Sequence, residues 1–538
     1  MNRLTDEIVH FEASRPVIMG RNGMVSSGHQ LASLAGLKVL QEGGNAVDAA
    51  LATSFTLAVV KPQSCGVGGD LFALVFMKRK GQVEALNASG PAPLKAIIES
   101  FQQKGLAKIP TDGPLSIAIP GAVDGWVELH RRYGSLDLPR LAADAINYAQ
   151  EGFPLYPSLK EEIVELSSTY PGIDRYYLKP LGDLRAGKML LQRGLAHTLE
   201  KIAKNGRDAF YRGEIGARMC AAIQGEGGLI TEADLQGRYA EWSEPLTTTY
   251  RGYTLFEQPP VSQGFMILEM LNIMEDYPLD RMDQVDIVHV MVEAKKLAFE
   301  DRISHLEDPR FGETKIPQLI SKEHAQNRRK LITAVAKSRV HVSAALGSDT
   351  TYLCTADRDG NVVSMIQSIF AGFGSRVVAG DTGIVMNNRL CSFVLDPRKT
   401  NALKPGKRPA HTLNSYMVFR DGEFFIAGGT PGADDQPQTN IQVLHNLMDR
   451  HMDPQSAIEL PRWSHKPGTP PRSEGPEELW IEEGFPSEVI SGLEKKGHKV
   501  KVVDRWSFGG AEVIVRDPTS GTLMGGADPR REGYAMGW

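Results

Sequence analysis

GSDTTYLCTADRDGNVVSMIQSIF occupies residues 347–370. Apolar and polar residues alternate on both sides of DRDGN (357–361), as in strands with one face buried. An Asp-Gly dipeptide between two such runs marks a hairpin, because glycine supplies the left-handed backbone that the turn requires. The stretch therefore predicts two antiparallel strands, approached through the small polar residues Gly347, Ser348 and Asp349. DRDGN also opens like a calcium loop. Its twelfth position is Ser368, where a bidentate glutamate belongs, so the hairpin reading stands. Thr350 and Thr351 stand at the strand entrance. Threonine suits a strand there, but Thr350 could also become a nucleophile once the chain begins at it.

Downstream, SYMVFRDGEFFIAGG (415–429) repeats the pattern with RDGE as its turn, and VKVVDRWSFGGAEVIVRD (500–517) reads as closing strands. IQVLHNLMDRHM and PSEVISGLEKKGH between them have helical spacing. Upstream, residues 31–60 read as two helices broken at GGN, the second nearly all apolar. LFALVFMK and QVEALNAS follow as strands joined at RKG. The middle, roughly 120–330, is rich in helices such as IVHVMVEAKKLAFEDRISHL, interrupted by TTTYRGYTLFEQP. Helices first and hairpins later predict an α+β fold in which antiparallel sheets carry helices outside. Residues 325–349 show no clear period and predict a mobile connection running up to Thr350.

The chain has 538 residues, a net charge of −5 and 41% apolar residues, enough for a large core and nothing that suits nucleic acid. Four scattered cysteines (Cys65, Cys220, Cys354 and Cys391) lack metal-binding spacing and suit buried structural roles. No run of 18 apolar residues occurs, and the N-terminus lacks an apolar core of signal-peptide length, so a soluble cytoplasmic protein is expected. HExxH, P-loop and GxSxG motifs are absent. GVGGDL (66–71) has the wrong glycine spacing for a dinucleotide fold and is followed by strands. His289 falls within a helix and reads as a core or capping residue.

Several segments together resemble the gamma-glutamyltransferase family of N-terminal nucleophile hydrolases. In chain order they are SGHQLASLAGLKVLQEGGNAVDAALA with GVGGD, IAIPGAVDGW, HVMVEAKKLAFEDR, DTTYLCTADRDGNVVSMIQSI, GIVMNNRL, KRPAHTLNSYMV, GGTPGADDQPQ and GGADPRREG. They span the chain almost end to end. The resemblance implies a four-layer αββα sandwich with two stacked antiparallel sheets, and a precursor that cuts itself at Asp349–Thr350. The products would be a large subunit, 1–349, and a small subunit, 350–538, interlocked in one unit. A homodimer of such pairs is one assembly the resemblance allows. No cofactor, no metal, and no nucleic-acid or membrane partner is expected.

By the same resemblance Thr350 is the nucleophile, and Ser368 bonds and orients it. Gly432 and Ala433 supply the paired N–H groups of an oxyanion hole. The family usually has two glycines there, and Ala433 restricts φ. Thr351 is either a supporting hydroxyl or simply a strand former. A free α-amine titrates near ~7.7–8.0, so Thr350 could serve as its own base near neutral pH.

The departures from the family bear on substrate. Ser89 takes the place of the arginine that grips the glutamyl α-carboxylate. Arg389 and Ser392 replace the pair that holds the α-amino group, and Phe370 stands at an asparagine position. His411 and Thr412 replace two adjacent serines, and Tyr352 stands where glutamyl enzymes often carry histidine. Arg389 is either a bidentate clamp for a substrate carboxylate or an ordinary surface or salt-bridge residue. His411 could donate to that acid or be a bystander. These residues point to a small-molecule amide bearing a carboxylate without glutamate's zwitterionic head, such as oxamate or a glutaryl amide. Water or an amine would accept the acyl group. A glutathione hydrolase or transferase with an atypical pocket is the alternative, and an uncleaved, inactive homologue with a binding role is the third reading.

Overall fold

The computed structural model describes residues 2–3, 9–10, 13–180, 182, 184–338, 349–467 and 476–538, with no side-chain account of 2–3, 9–10 and 349. The hairpin expected at 349–370 forms from strands Asp349–Asp357 and Val362–Phe370. Asp357 closes its turn: Oδ1 accepts the N–H groups of Asp359 and Asn361, and Oδ2 accepts that of Ala46. Gly360 takes φ +81°, the left-handed conformation that the Asp-Gly pair anticipated.

This hairpin is the centre of a seven-stranded antiparallel sheet. Its strand order is Tyr534–Gly537, Gly23–Ser27, Asp349–Asp357, Val362–Phe370, Asp70–Met77, Gln82–Ala88 and Glu241–Ser243. A second seven-stranded antiparallel sheet runs Leu246–Tyr250, Tyr253–Glu257, Tyr416–Arg420, Glu423–Gly429, Glu512–Arg516, Leu523–Ala527 and Ile18–Gly20. Strand alternation explains how the two stack. Tyr352, Cys354 and Ala356 point toward Met417, Phe424 and Ile514 of the second sheet in one buried cluster. Leu353, Val363 and Met365 point the other way, onto helices Gln30–Gln41 and Ala46–Val60. Helices Phe265–Met274, Gln284–His305 and Gln436–Met448 cover the outer face of the second sheet. The molecule is thus an αββα sandwich.

Helix Ala46–Val60 is buried along its whole length, which suits its apolar sequence, and a capping box of Asn45 and Asp48 starts it. It lies close against Gln30–Gln41 because a Cβ at Gly36 would come within 2.2 Å of Thr53 Oγ1. All four cysteines are buried, and none forms a disulfide among the described residues. Among the described residues, no helix is long and apolar enough to cross a membrane.

One expectation needs correction. Part of the connection expected to be mobile at 325–349 is regular. Lys322–Arg329 is a helix capped by Ser321, and Arg328 is hydrogen-bonded to Asp301 through Nε at 2.9 Å. Its polar surface gave no apolar period to read. Residues 339–348 lie outside the described residues. The closing strands form as read and enter different sheets. Val500–Val503 pairs in parallel with Glu478–Glu482 in a separate three-stranded sheet, whereas Glu512–Arg516 joins the second main sheet.

Helix Gln284–His305 buries several charged groups, and each has a local partner. His289 Nε2 lies 2.7 Å from the Thr333 carbonyl, so that nitrogen carries the proton, and Nδ1 accepts from His498 Nε2 at 2.8 Å. His289 is therefore a core residue, as its place in a helix suggested. Lys296 pairs with Glu293 at 2.8 Å and with Glu477 at 3.0 Å. Burial pushes the His498 imidazole down to about 3, and the nearby Lys296 adds to the effect.

An unfolded histidine titrates near ~6.5, so between that pH and about 3 the unfolded chain holds a proton that the folded chain does not. Stability from His498 is therefore complete above pH ~6.5 and is lost as pH falls toward 3. His498→Asn removes this titration. Chemical denaturation should show a smaller loss of stability between about pH 7 and about pH 4 in the variant than in the parent. Equal losses in the two proteins would contradict this assignment.

Candidate active site

The register places Thr350 at an irregularity. Asp349 pairs with Phe370 and Thr351 pairs with Gln367, so Thr350 is the extra residue of a β-bulge. A bulge redirects the side chain it carries. Thr350 Oγ1 donates to Ser368 Oγ at 3.0 Å, and the same Ser368 oxygen accepts the Phe370 N–H at 2.7 Å. Thr350 is only 3% exposed and Ser368 is fully buried. The Asp349 side chain lies outside the described residues, but its backbone opens the strand.

Thr351 faces elsewhere. Its register partner Gln367 reaches Ser54 on helix Ala46–Val60, and residues directly opposite in a ladder share a face. Thr351 Oγ1 has no hydrogen-bond partner among the described residues and sits over Gly28, where a Cβ would approach it to 2.6 Å. Of the two roles open to it, the structure brings it to the outer helix layer and not to Thr350. Tyr352 lies between the sheets. Its hydroxyl meets Ser364 Oγ at 2.6 Å, and its ring lies against the backbone of Gly429.

Strand Glu423–Gly429 leads through Thr430 and Pro431 into the turn that carries Gly432 and Ala433. Gly432 has φ +127° and Ala433 φ +49°. Alanine thus adopts the left-handed region that normally favours glycine, at a cost of about 1–2 kcal/mol. The hydrogen bonds that fix the turn fall on its carbonyls. Gly432 O accepts Asp435 N–H at 2.8 Å, and Ala433 O accepts Gln263 Nε2 at 2.9 Å. The Ala433 methyl packs against the cluster that holds Phe370, Leu390 and Cys391.

Phe370 leads to the next group of residues. The Arg389 guanidinium lies 4.2 Å from the centre of its ring. Arg389 starts a short 3-10 turn, Arg389–Ser392, and its Nη1 donates to Thr412 Oγ1 at 3.2 Å. Its Nε lies 3.4 Å from Asp70 Oδ2, and His411 Nε2 lies 3.1 Å from the same oxygen. Leu413 N–H donates to His411 Nδ1 at 3.3 Å, which makes Nε2 the protonated nitrogen facing Asp70. Gly90 N–H donates to Asp70 Oδ1 at 3.0 Å. Asp70, Arg389 and His411 have no solvent exposure at all. A surface role for Arg389 is therefore excluded, and its salt-bridge role is observed.

Ser89 and Ser392 belong to the surrounding wall. Ser89 directs its hydroxyl to Asn87 Oδ1 at 2.7 Å, and its carbonyl accepts Arg408 Nε at 2.9 Å. The Ser392 carbonyl accepts Asn401 Nδ2 at 2.8 Å. Gln263 joins the two halves of the site, since its Nε2 reaches Thr412 O at 2.6 Å as well as Ala433 O. The arrangement is continuous: Thr350 touches Ser368, Ser368 touches Phe370, and Phe370 touches Arg389. Thr412, Asp70 and His411 complete the far end.

Asp70 was not identified from the sequence as a site residue. GVGGD reads as a glycine turn ending in an ordinary polar residue. The available signal was an acid opening an otherwise apolar strand, DLFALVFM, because a fully buried carboxylate requires a partner. Asp70 is also the register partner of Ser368. It therefore ties the strand beside Thr350 to the cationic end of the site.

Two clusters among the described residues have spacing compatible with metal ligands: His289/Glu293/His498 and Glu269/Asp301/His324. Both belong to the helix layer over the second sheet and are already bridged internally. Lys296 holds Glu293, and Arg328 holds Asp301. Hydrogen bonds to Asp301 and Glu269 raise His324 to about 9.

The chain matches, over residues 32–538, the family model described as gamma-glutamyltranspeptidase. It is 38% identical over 527 residues to the glutathione hydrolase-like YwrD proenzyme of Bacillus subtilis, covering 97% of this chain and 99% of that protein. It is 36% identical to the oxamate amidohydrolase proenzyme of Klebsiella pneumoniae, covering 96% of this chain and 98% of that protein. The crystal structure of cephalosporin acylase from Bacillus halodurans superposes with a TM-score of 0.90 at 38% identity, covering 100% of this chain and 99% of that one.

Proposed function

Because the chain belongs to the gamma-glutamyltranspeptidase family, we propose that it is a self-processing amide hydrolase with Thr350 as nucleophile and a small carboxylate-bearing acyl group as substrate. The observation that carries this reading is the bulged Thr350, bonded to Ser368 and connected through Phe370 to the buried Arg389. Relatives named as proenzymes support the processing step, and one named for oxamate supports the substrate class.

In the processing step Thr350 Oγ1 adds to the Asp349 carbonyl carbon, and the peptide C–N bond breaks. The acyl group moves from nitrogen to oxygen, and water hydrolyses the resulting ester. This leaves a carboxylate on residue 349 and an α-amine on Thr350. In turnover that amine, when neutral, takes the hydroxyl proton as Oγ1 adds to the substrate amide. The N–H groups of Gly432 and Ala433 receive the oxyanion. Collapse expels the amine, protonated by the α-ammonium group, and leaves an ester on Thr350. Water, or an amine acceptor, then takes the acyl group.

Arg389 would bind the substrate carboxylate through a guanidinium that Asp70 already holds along its Nε edge. Asp70 also gives the γ-glutamyl reading one specific support, since an acid beside an arginine suits a zwitterionic head. That reading ranks second, because Asp70 already engages Gly90, His411 and Arg389.

A panel of oxamate, a glutaryl amide, a γ-glutamyl amide and glutathione tests the choice. We expect kcat/KM for oxamate or the glutaryl amide to exceed that for the γ-glutamyl amide by at least about tenfold, about 1.4 kcal/mol of differential binding. The reverse order would establish the glutamyl reading. A chain that never cleaves and turns over nothing would overturn both.

A further inference from the structure

Two acids follow directly on the turn that carries Gly432 and Ala433. Asp434 and Asp435 stand one and two residues beyond Ala433. A carboxylate so close to paired oxyanion donors would repel the charge those donors stabilise, and burial would strengthen the repulsion. Each acid nevertheless faces a cation. Asp434 is 7% exposed and forms an ion pair with Arg302 Nη1, itself 6% exposed, from the last turn of helix Gln284–His305. Asp435 binds Lys466 Nζ through both oxygens, at 2.7 and 2.9 Å, and also accepts from Ser464 Oγ.

We infer that Arg302 and Lys466 are positioning residues of the oxyanion site: they neutralise Asp434 and Asp435 and brace the left-handed Ala433. This inference rests on the reading that Gly432 and Ala433 N–H receive the oxyanion. Three geometric facts support it beyond charge. Ala433 at φ +49° lies in a region that a residue with a side chain leaves readily, so the turn needs external bracing. Its carbonyls are held by Gln263 and by Asp435 N–H, and the Asp434 carbonyl is held by Gln438 Nε2 at 3.1 Å. The braces also come from both sides of the proposed cut. Arg302 and Gln263 precede residue 349, whereas Lys466 and the turn follow it. One product of processing would thus hold the oxyanion turn of the other.

The test compares Arg302→Met, Asp434→Asn and the double variant, reading kcat and KM separately with the best substrate of the panel. Arg302→Met should lower kcat about 10- to 100-fold, less than the ~100–1,000-fold effect of losing an oxyanion donor outright. KM should change by no more than about threefold, because the substrate's ground state carries no oxyanion. The double variant should recover at least about tenfold in kcat, since it removes the stranded carboxylate as well as its partner. A double variant no more active than Arg302→Met would overturn the inference. So would Arg302→Met with kcat within about twofold of the parent.

If Arg302→Met does not fold, Lys466→Met and Lys466→Met/Asp435→Asn repeat the comparison at a less buried pair. Binding of an alkyl boronic acid carrying a carboxylate separates the two levels of the argument. Its tetrahedral adduct with Thr350 places an oxyanion in the site. No adduct with the parent protein would overturn the assignment of the site and the inference with it. An adduct equally tight with parent and Arg302→Met would overturn the inference alone.

Discussion

Thr350→Ala protein is expected to remain one full-length chain on a denaturing gel and to hydrolyse amides at least ~10,000-fold more slowly than the parent. The expectation is severe because one oxygen is assigned two tasks. Without Oγ1 no N→O acyl shift can begin at Asp349, and without the cut no α-amine exists to act as base. The environment offers no substitute. Ser368 Oγ accepts the threonine hydroxyl, and its own position is fixed by Phe370 N–H at the end of the same strand. Thr351 faces the opposite side of the sheet. Thr350→Ser keeps the oxygen but loses the β-branch that restricts χ1, so it should cleave more slowly than the parent and still yield two chains. Intact mass over time reads both variants. Two chains divided at 349/350 in Thr350→Ala would refute the assignment.

The second large effect concerns Arg389. Arg389→Ala should destabilise the protein by about 3–5 kcal/mol, because it leaves Asp70 buried without its guanidinium. A simple rise in KM for this variant would therefore be ambiguous. Asp70→Asn/Arg389→Met removes both charges and should recover most of the stability, while KM for a glutaryl amide stays about 10- to 100-fold above that of the parent. A neutral pentanoyl amide of the same chain length should show no such change. Denaturant midpoints and KM values for the two amides separate the structural task of Arg389 from its substrate task. An unchanged KM for the glutaryl amide in the double variant would show that Arg389 serves Asp70 and nothing else.

Much of the sandwich was legible where local chemistry decides. The hairpin at 349–370 announces itself through alternation and an Asp-Gly turn, and helix Ala46–Val60 through its apolar length after the GGN break. Strand order was not legible from periodicity, because pairing is set by contacts hundreds of residues apart. Nothing within Gly23–Ser27 says that it lies between Asp349–Asp357 and Tyr534–Gly537. Helix Lys322–Arg329 was missed because its stabilisation comes from Ser321 at its start and from ion pairs to Asp301 and Asp276, not from an apolar stripe. At the site, residue types were readable and partnerships were not. Arg389 drew notice as a departure from the glutamyl pattern, but the acid beside it sits in a glycine turn that looked purely structural. Ala433 shows the converse. Its identity argued against a left-handed turn, yet the turn forms, with Gln263 on its carbonyl and ion pairs on the two acids that follow.

The place of strand Gly23–Ser27 has a further consequence. Its neighbours on both sides, Leu353–Asp357 and Tyr534–Gly537, lie after residue 350. A break ahead of Thr350 therefore leaves one fragment's strand hydrogen-bonded along both edges to the other fragment. While the fold persists, this pairing holds the two pieces together. Once the fold is lost, the two pieces diffuse apart, and recovery becomes a second-order encounter between chains. The uncut chain should then refold at a rate independent of dilution, whereas the processed protein should recover less completely the more dilute it is.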